Sequence, residues 1–214
     1  MVAKKSKSRG PVLILLLSFL AGIALYLTDW PTLQKPVTDE LQGVLRPEAR
    51  ELVADFALLD QNEQTFDLDR FAGNWSFVFF GYTYCPDICP TTLTTLVSVF
   101  SHLEELGEPI ENLNTFFISV DPQRDNPEVL RGYMSYFNKA FIGITGEKEQ
   151  LDGLARQFGA GYVIEPERGP GDYLVSHTSS IFLVDPKKRL LAHFSPPHDA
   201  ETIAGQFRKI RSRY

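Results

Sequence analysis

Residues 75–90 read WSFVFFGYTYCPDICP, an apolar run that breaks at Gly81 into a turn holding two cysteines and two prolines. Its first part, WSFVFFGY (75–82), is short and almost wholly apolar, the pattern of a strand buried on both faces. Beyond the turn, Leu93, Leu96, Val97, Phe100 and Leu103 recur at helical spacing up to Gly107. Strand, turn and helix in that order place Cys85 and Cys89 at the junction. Pro90 suits the first helical position, which makes Cys89 the expected N-cap. A helix N-terminus favours negative charge and lowers a thiol pKa. If the turn is helical, the four-residue spacing puts both sulfurs on one side, with Cβ atoms roughly 5–6 Å apart. That separation suits a shared metal or a disulfide.

Outward from this junction, FALLDQNEQTFDL (56–68) reads as two short strands around Asn62-Glu63. NTFFISV (114–120) is the next buried strand. Asn126-Pro127 starts a second helix with Val129, Leu130, Tyr133 and Phe137 on one side. AFIGIT (140–145) reads as a third strand of the alternation, and Leu151, Leu154, Ala155 and Phe158 mark a helix closed by Gly159. A loop rich in glycine and proline covers 165–172. SSIFLVD (179–185) and RLLAHFS (189–195) form a hairpin through Pro186-Lys187-Lys188, and a last helix runs over 199–213. Alternating strands and helices argue for an α/β sheet covered on both faces. The closing hairpin makes that sheet mixed.

The N-terminus is of another kind. Residues 1–10 carry Lys4, Lys5, Lys7 and Arg9 and no acid. The remainder holds 17 basic and 27 acidic residues, a net of about −10, which argues against nucleic acid as a partner. Residues 11–28 contain no charge, and 18 residues reach the lower limit for spanning the hydrocarbon core. The basic flank places the N-terminus in the cytoplasm and the main domain on the periplasmic, or equivalent outer, face. Trp30 falls at the outer interface. A cleaved signal peptide is the competing reading, with Gly22-Ile23-Ala24 as its weak cleavage site. The expected organisation is a basic tail over 1–10, a transmembrane anchor over 11–28, a spacer with Pro31, Pro36 and Pro47 over 29–50, and one folded domain over 51–214.

Cys85 and Cys89 are the only cysteines. A disulfide closing so short a loop would staple little, so the pair reads as chemical. Two thiolates are soft ligands that select copper(I) or zinc. Structural zinc normally takes four protein ligands, and the sequence offers one good third ligand, which favours copper. Of four histidines, His102 lies in the first helix facing solvent, His193 alternates within a strand, and His198 precedes the last helix. His177 sits just before the strand 179–185. If that strand runs antiparallel to 75–82, His177 arrives beside Cys85. Asp121 follows the strand 114–120, on the same edge. It is either a supporting or partner-contacting group or a loop builder with Pro122. Asp125 is expected to help start the second helix, and Asp87 either tunes the charge of the site or faces water.

GYTYCPDICP (81–90), ISVDPQRDNPEVLRGY (118–133) and DYLVSHTSSIFLVDP (172–186) together resemble the Sco/SenC family, membrane-anchored, thioredoxin-like copper proteins that help assemble cytochrome c oxidase. The resemblance covers roughly residues 50–214. It implies a thioredoxin-like mixed sheet flanked by helices, and copper, as Cu(I) or Cu(II), on Cys85, Cys89 and His177. It also implies the copper-site subunit of cytochrome c oxidase as partner, with another copper chaperone or a thioredoxin-like reductant beside it. The family often has an acid directly before the histidine, where this chain has Ser176; that bears on how the imidazole is oriented. The rival reading is a thiol–disulfide oxidoreductase with Cys85 and Cys89 as its redox pair. Thioredoxins have two residues between their cysteines and a proline before the facing strand. Here three residues intervene, and His177-Thr178-Ser179 takes the place of that proline.

Overall fold

Seven consecutive buried residues, Trp75–Gly81, form β4 at the middle of an eight-stranded sheet. The computed structural model describes residues 44–53 and 55–214, and the single helical position Phe19. The expected basic tail over 1–10, the anchor over 11–28 and the spacer up to residue 43 otherwise lie outside the described residues. Among the described residues, no helix is long and apolar enough to cross a membrane.

The strand order is β1-β10-β9-β4-β5-β6-β2-β3. At the centre, β4, β5 (Leu113–Ser119) and β6 (Ile142–Thr145) are parallel. They are linked through α1 (Ile88–Glu105) and α2 (Pro127–Phe137). On one side, β9 (Ile181–Val184) lies antiparallel to β4, with Phe79 opposite Ile181. It turns back into β10 (Arg189–Phe194). The turn needs Lys188 at φ 64°, and Asp185 accepts the backbone N–H groups of Lys187 and Arg189 across it. On the other side, β2 (Leu58–Asp60) and β3 (Thr65–Phe66) form the expected hairpin. The sheet is mixed, and it is flanked by helices as expected.

Alternate residues of a strand point to opposite faces, and β4 shows what covers each. Phe77 meets Phe207 of α4 (Ala200–Arg211), while Phe80 meets Phe158 of α3 (Lys148–Phe158), both at ring distances near 5.4 Å. Phe66, Phe71 and Phe116 interlock edge to face, with centroids 4.9–5.5 Å apart. Each of these rings buries a large apolar area, so truncating one costs about 3–5 kcal/mol. This core fixes the sheet, and so the level at which each strand ends.

Two features differ from the expectation. The spacer expected up to residue 50 ends in a strand, β1 (Leu45–Glu51), at the edge of the sheet against β10. Its Pro47, Glu48, Ala49 and Glu51 are of types depleted in strands, which is why the sequence reads as a linker there. Such polar edges discourage pairing with other chains. The second is a separate two-stranded sheet, β7 (Tyr162–Ile164) with β8 (Val175–His177), of which the expected 165–172 loop is the tip.

A chain beginning at Leu52 would leave the β10 edge unpaired. Compared with a chain beginning at Val44, it is expected to melt a few degrees lower and to associate at high concentration. Thermal melting and light scattering of the two forms check this; identical behaviour would show that β1 adds nothing to the domain.

Candidate metal centre

The turn after β4 sits at the end of the sheet where parallel strands of an open α/β sheet gather their ligands. Helix α1 begins at Ile88 with Asp87 as its N-cap, so Cys89 and Pro90 lie one and two residues inside the first helical position. The expected N-cap at Cys89 is therefore corrected. Pro90 tolerates its place because the first helical N–H groups have no intrahelical acceptor in any case. Asp87 makes no side-chain cap bond and is exposed. Instead, the Cys85 sulfur accepts the backbone N–H of Cys89 at 3.4 Å. A sulfur thus occupies the position that a capping oxygen would take.

The two thiols differ sharply. Cys89 is fully buried and Cys85 half-buried. The Cys89 sulfur rests against Gly81, where an added Cβ would come within 2.8 Å of it and 2.7 Å of the Phe117 ring. A hydrogen bond from Cys89 draws the Cys85 thiol well below its ordinary pKa, against the effect of burial, with help from the backbone N–H groups of Cys89 and Asp87. The same bond, burial and the neighbouring negative sulfur push Cys89 upward. One proton shared between two sulfurs, held on the inner one, satisfies both shifts.

His177 ends β8, and its Nε2 lies 3.4 Å from the Cys89 sulfur. Its Nδ1 lies 3.1 Å from the Thr178 carbonyl. A carbonyl only accepts, so Nδ1 carries the proton and Nε2 turns its lone pair towards the sulfurs. The orientation left open by Ser176 is thus supplied by the backbone, while Ser176 donates to Glu165 at 2.6 Å instead. Phe79 and Tyr82 hold the imidazole edge to face, both with centroids at 5.9 Å. The ligand atoms of Cys85, Cys89 and His177 all lie within 4.8 Å of one another, and no other histidine, cysteine or carboxylate among the described residues joins the group. Two sulfurs and one imidazole form a soft three-donor set, one short of a closed structural zinc site.

The remaining candidates sit elsewhere or serve other ends. His102 pairs with Glu105 on the exposed side of α1. His193 lies in β10 against Phe182, and His198 donates from Nε2 to the Ser179 carbonyl at 2.8 Å. Asp125 does not start the second helix: Asn126 caps α2, and Asp125 is buried, accepting from Thr83 and Ser119. It ties the cysteine turn to the end of β5, and burial raises its pKa. Asp121 is also fully buried, held by Arg124 and by the Tyr173 hydroxyl. Tyr133, on the neighbouring α2, has a buried hydroxyl without a hydrogen-bond partner.

A mixed sheet with helices on both faces, and two cysteines where a central strand passes into a helix, define a protein of the thioredoxin-like class. Residues 45–212 match the family model described as SCO1/SenC, and the chain belongs to that family. An SCO2-like protein of Rickettsia felis is 33% identical over 208 residues, spanning 94% of this chain and 99% of its own. The crystal structure of Arabidopsis thaliana ScoI with copper bound is 28% identical, with a TM-score of 0.70, covering 76% of this chain and 100% of that one. BsSco, described as a member of the Sco family of cytochrome c oxidase assembly proteins, is 22% identical with a TM-score of 0.62 over 80% of this chain and 97% of that one, and bears on the fold alone.

With its thiol pKa lowered, Cys85 is expected to react with iodoacetamide at a nearly constant rate from pH 8 down to pH 5. An ordinary thiol, with pKa near 8.5, slows by about tenfold per pH unit over that range. Cys89, buried and protonated, is expected to stay unmodified in the folded chain. Mass spectrometry of the reduced protein checks both; a tenfold loss per unit at Cys85 would remove the asymmetry.

Proposed function

We propose that this chain is a membrane-anchored copper protein that delivers copper to, or assists metallation of, cytochrome c oxidase on the outer face of a membrane. The observation that carries the reading is the convergence of Cys85, Cys89 and the His177 Nε2 within 4.8 Å at one edge of the sheet. This donor set suits copper in either common oxidation state: the sulfurs favour Cu(I), and the imidazole extends the site to Cu(II). The copper-bound Arabidopsis relative supports that choice of metal. An exposed edge and an incomplete ligand shell suit cargo that must be handed on to other soft ligands. The partner is accordingly the copper-site subunit of the oxidase, with another copper chaperone as donor.

A second reading draws on one observation. A half-exposed thiolate beside a buried, protonated thiol is also an arrangement for dithiol–disulfide exchange. In that reading the chain keeps the cysteines of a partner's copper site reduced, itself recharged by a thioredoxin-like reductant. His177 separates the two, because exchange through a mixed disulfide needs no imidazole ligand.

The reduced full chain is expected to bind one copper. Replacing Cys85 or Cys89 with Ser should weaken Cu(I) binding by more than about a hundredfold, beyond what loss of an outer partner alone costs. His177→Ala should keep Cu(I) but lose the coloured Cu(II) form, and should impair oxidase maturation in cells. Titration followed by absorption and electron spin resonance reads the first part. Normal oxidase maturation with His177→Ala, alongside failure with Cys85→Ser, would favour the reductase.

Residues 11–28 are proposed as the anchor, with 1–10 as a cytoplasmic tail and 29–44 as spacer; the sequence pattern supports this. A reporter fused after Tyr214 is expected to be active only outside the cytoplasm. The chain should stay with membranes at high salt and retain its first residues. Recovery of a soluble chain starting near Leu25 would show that a signal peptide had been removed.

A further inference from the structure

The two halves of the site come from elements that are not in the same sheet. Cys85 and Cys89 belong to the turn after β4, whereas His177 ends β8 of the separate hairpin. The side chains of Asp121, at the end of β5, and Arg124, three residues on, lie between them. The Arg124 guanidinium Cζ lies 3.6 Å from the ring centroid of Tyr173, in the hairpin arm, and 4.7 Å and 5.8 Å from those of Tyr84 and Tyr82, in the cysteine turn. Its Nη1 donates to the Tyr173 carbonyl at 3.0 Å, and its Nε to Asp121. Asp121 in turn accepts the Tyr173 hydroxyl at 2.7 Å. One planar cation therefore touches both ligand-bearing segments, and its carboxylate partner grips the same tyrosine.

We infer that Arg124 is a positioning residue, which with Asp121 sets the distance between the His177 arm and the cysteine turn; this rests on the copper reading only for its consequence, not for its geometry. Stability alone accounts poorly for the arrangement. Asp121 is fully buried, the Arg124 side chain is 14% exposed, and Arg124 Nη2 is buried with no hydrogen-bond partner. An unfilled buried donor costs stability, and a buried ion pair is weak evidence for stability where apolar packing would serve as well. What apolar packing lacks is a rigid fork that fixes direction. The two cysteines share one turn, so the separation that Arg124 bears on is the one between that turn and His177.

The test uses the reduced full chain in detergent, without metal and then with copper. In the metal-free Arg124→Ala variant, backbone amides from Leu174 to Thr178 should exchange roughly tenfold or more faster, with the helices unchanged. The His177 imidazole resonances should move. With copper, the Cu(II) spectrum should shift towards that of His177→Ala, while Cu(I) affinity changes by less than about tenfold, the lower end of what an outer partner contributes. If Arg124→Ala does not fold, Arg124→Lys keeps the charge without the fork, and Tyr173→Phe removes only the hydroxyl; both should shift the same signals in the same direction. Unchanged imidazole resonances, or faster exchange with a wild-type Cu(II) spectrum, would overturn the inference. Displaced imidazole signals in a protein whose wild type binds no copper would uphold it and sink the copper reading instead.

Discussion

Because β9 runs antiparallel to β4, with Ile181 opposite Phe79, the chain entering β9 arrives beside the end of β4. That single pairing brings residue 177 to residues 85 and 89. Everything chemical in the molecule depends on it, since the sulfurs and the imidazole have no local reason to meet. The pairing is buried on both faces by Phe77, Phe80, Phe158 and Phe207, so the ring packing of the core sets the register of the site. A slip of one residue would turn every side chain of β9 to the opposite face.

On this frame the local chemistry is economical. The start of α1 presents unpaired N–H groups, and a cysteine sulfur takes the place of the cap. The negative charge this favours rests on the outer sulfur, and the proton stays on the inner one. The imidazole needs no carboxylate to hold it, because a backbone carbonyl one residue away fixes its tautomer. The outer sulfur thus has the lowered pKa, and the His177 Nε2 lies 3.4 Å from the inner one.

Much of this was legible in the sequence, because the signals are local or periodic. The apolar run 75–82, the helical spacing from Leu93 to Leu103 and the Pro-Lys-Lys turn after residue 185 all became the expected elements. The place of His177 beside the cysteines follows from strand direction. What was missed depends on contacts far apart in sequence. Arg124 reaches Tyr173 across 49 residues, and nothing in VDPQRD says that its fork is turned inward. Asp125 and Asn126 have the same capping chemistry, and only the position of Thr83 shows which one caps the helix and which turns into the site. The start of α1 was misplaced because proline is tolerated at more than one early helical position. β1 is hidden because its proline, alanine and glutamates are types depleted in strands, which an edge position tolerates. The short β7 and β8 give no period to read.

The direction of β1 reaches further than its place at the edge. Leu45 pairs with Ala192, and Glu51 with Arg189, so β1 begins at the level where β10 ends and β9 starts. That is the end of the sheet that carries the sulfurs, three strands across from β4. At about 4.8 Å between neighbouring strands, the start of β1 lies on the order of 15 Å sideways from the site. The first described strand and the sulfurs therefore share one end of the sheet, so that groups added directly before Leu45 stand beside the site and groups added after Glu51 do not.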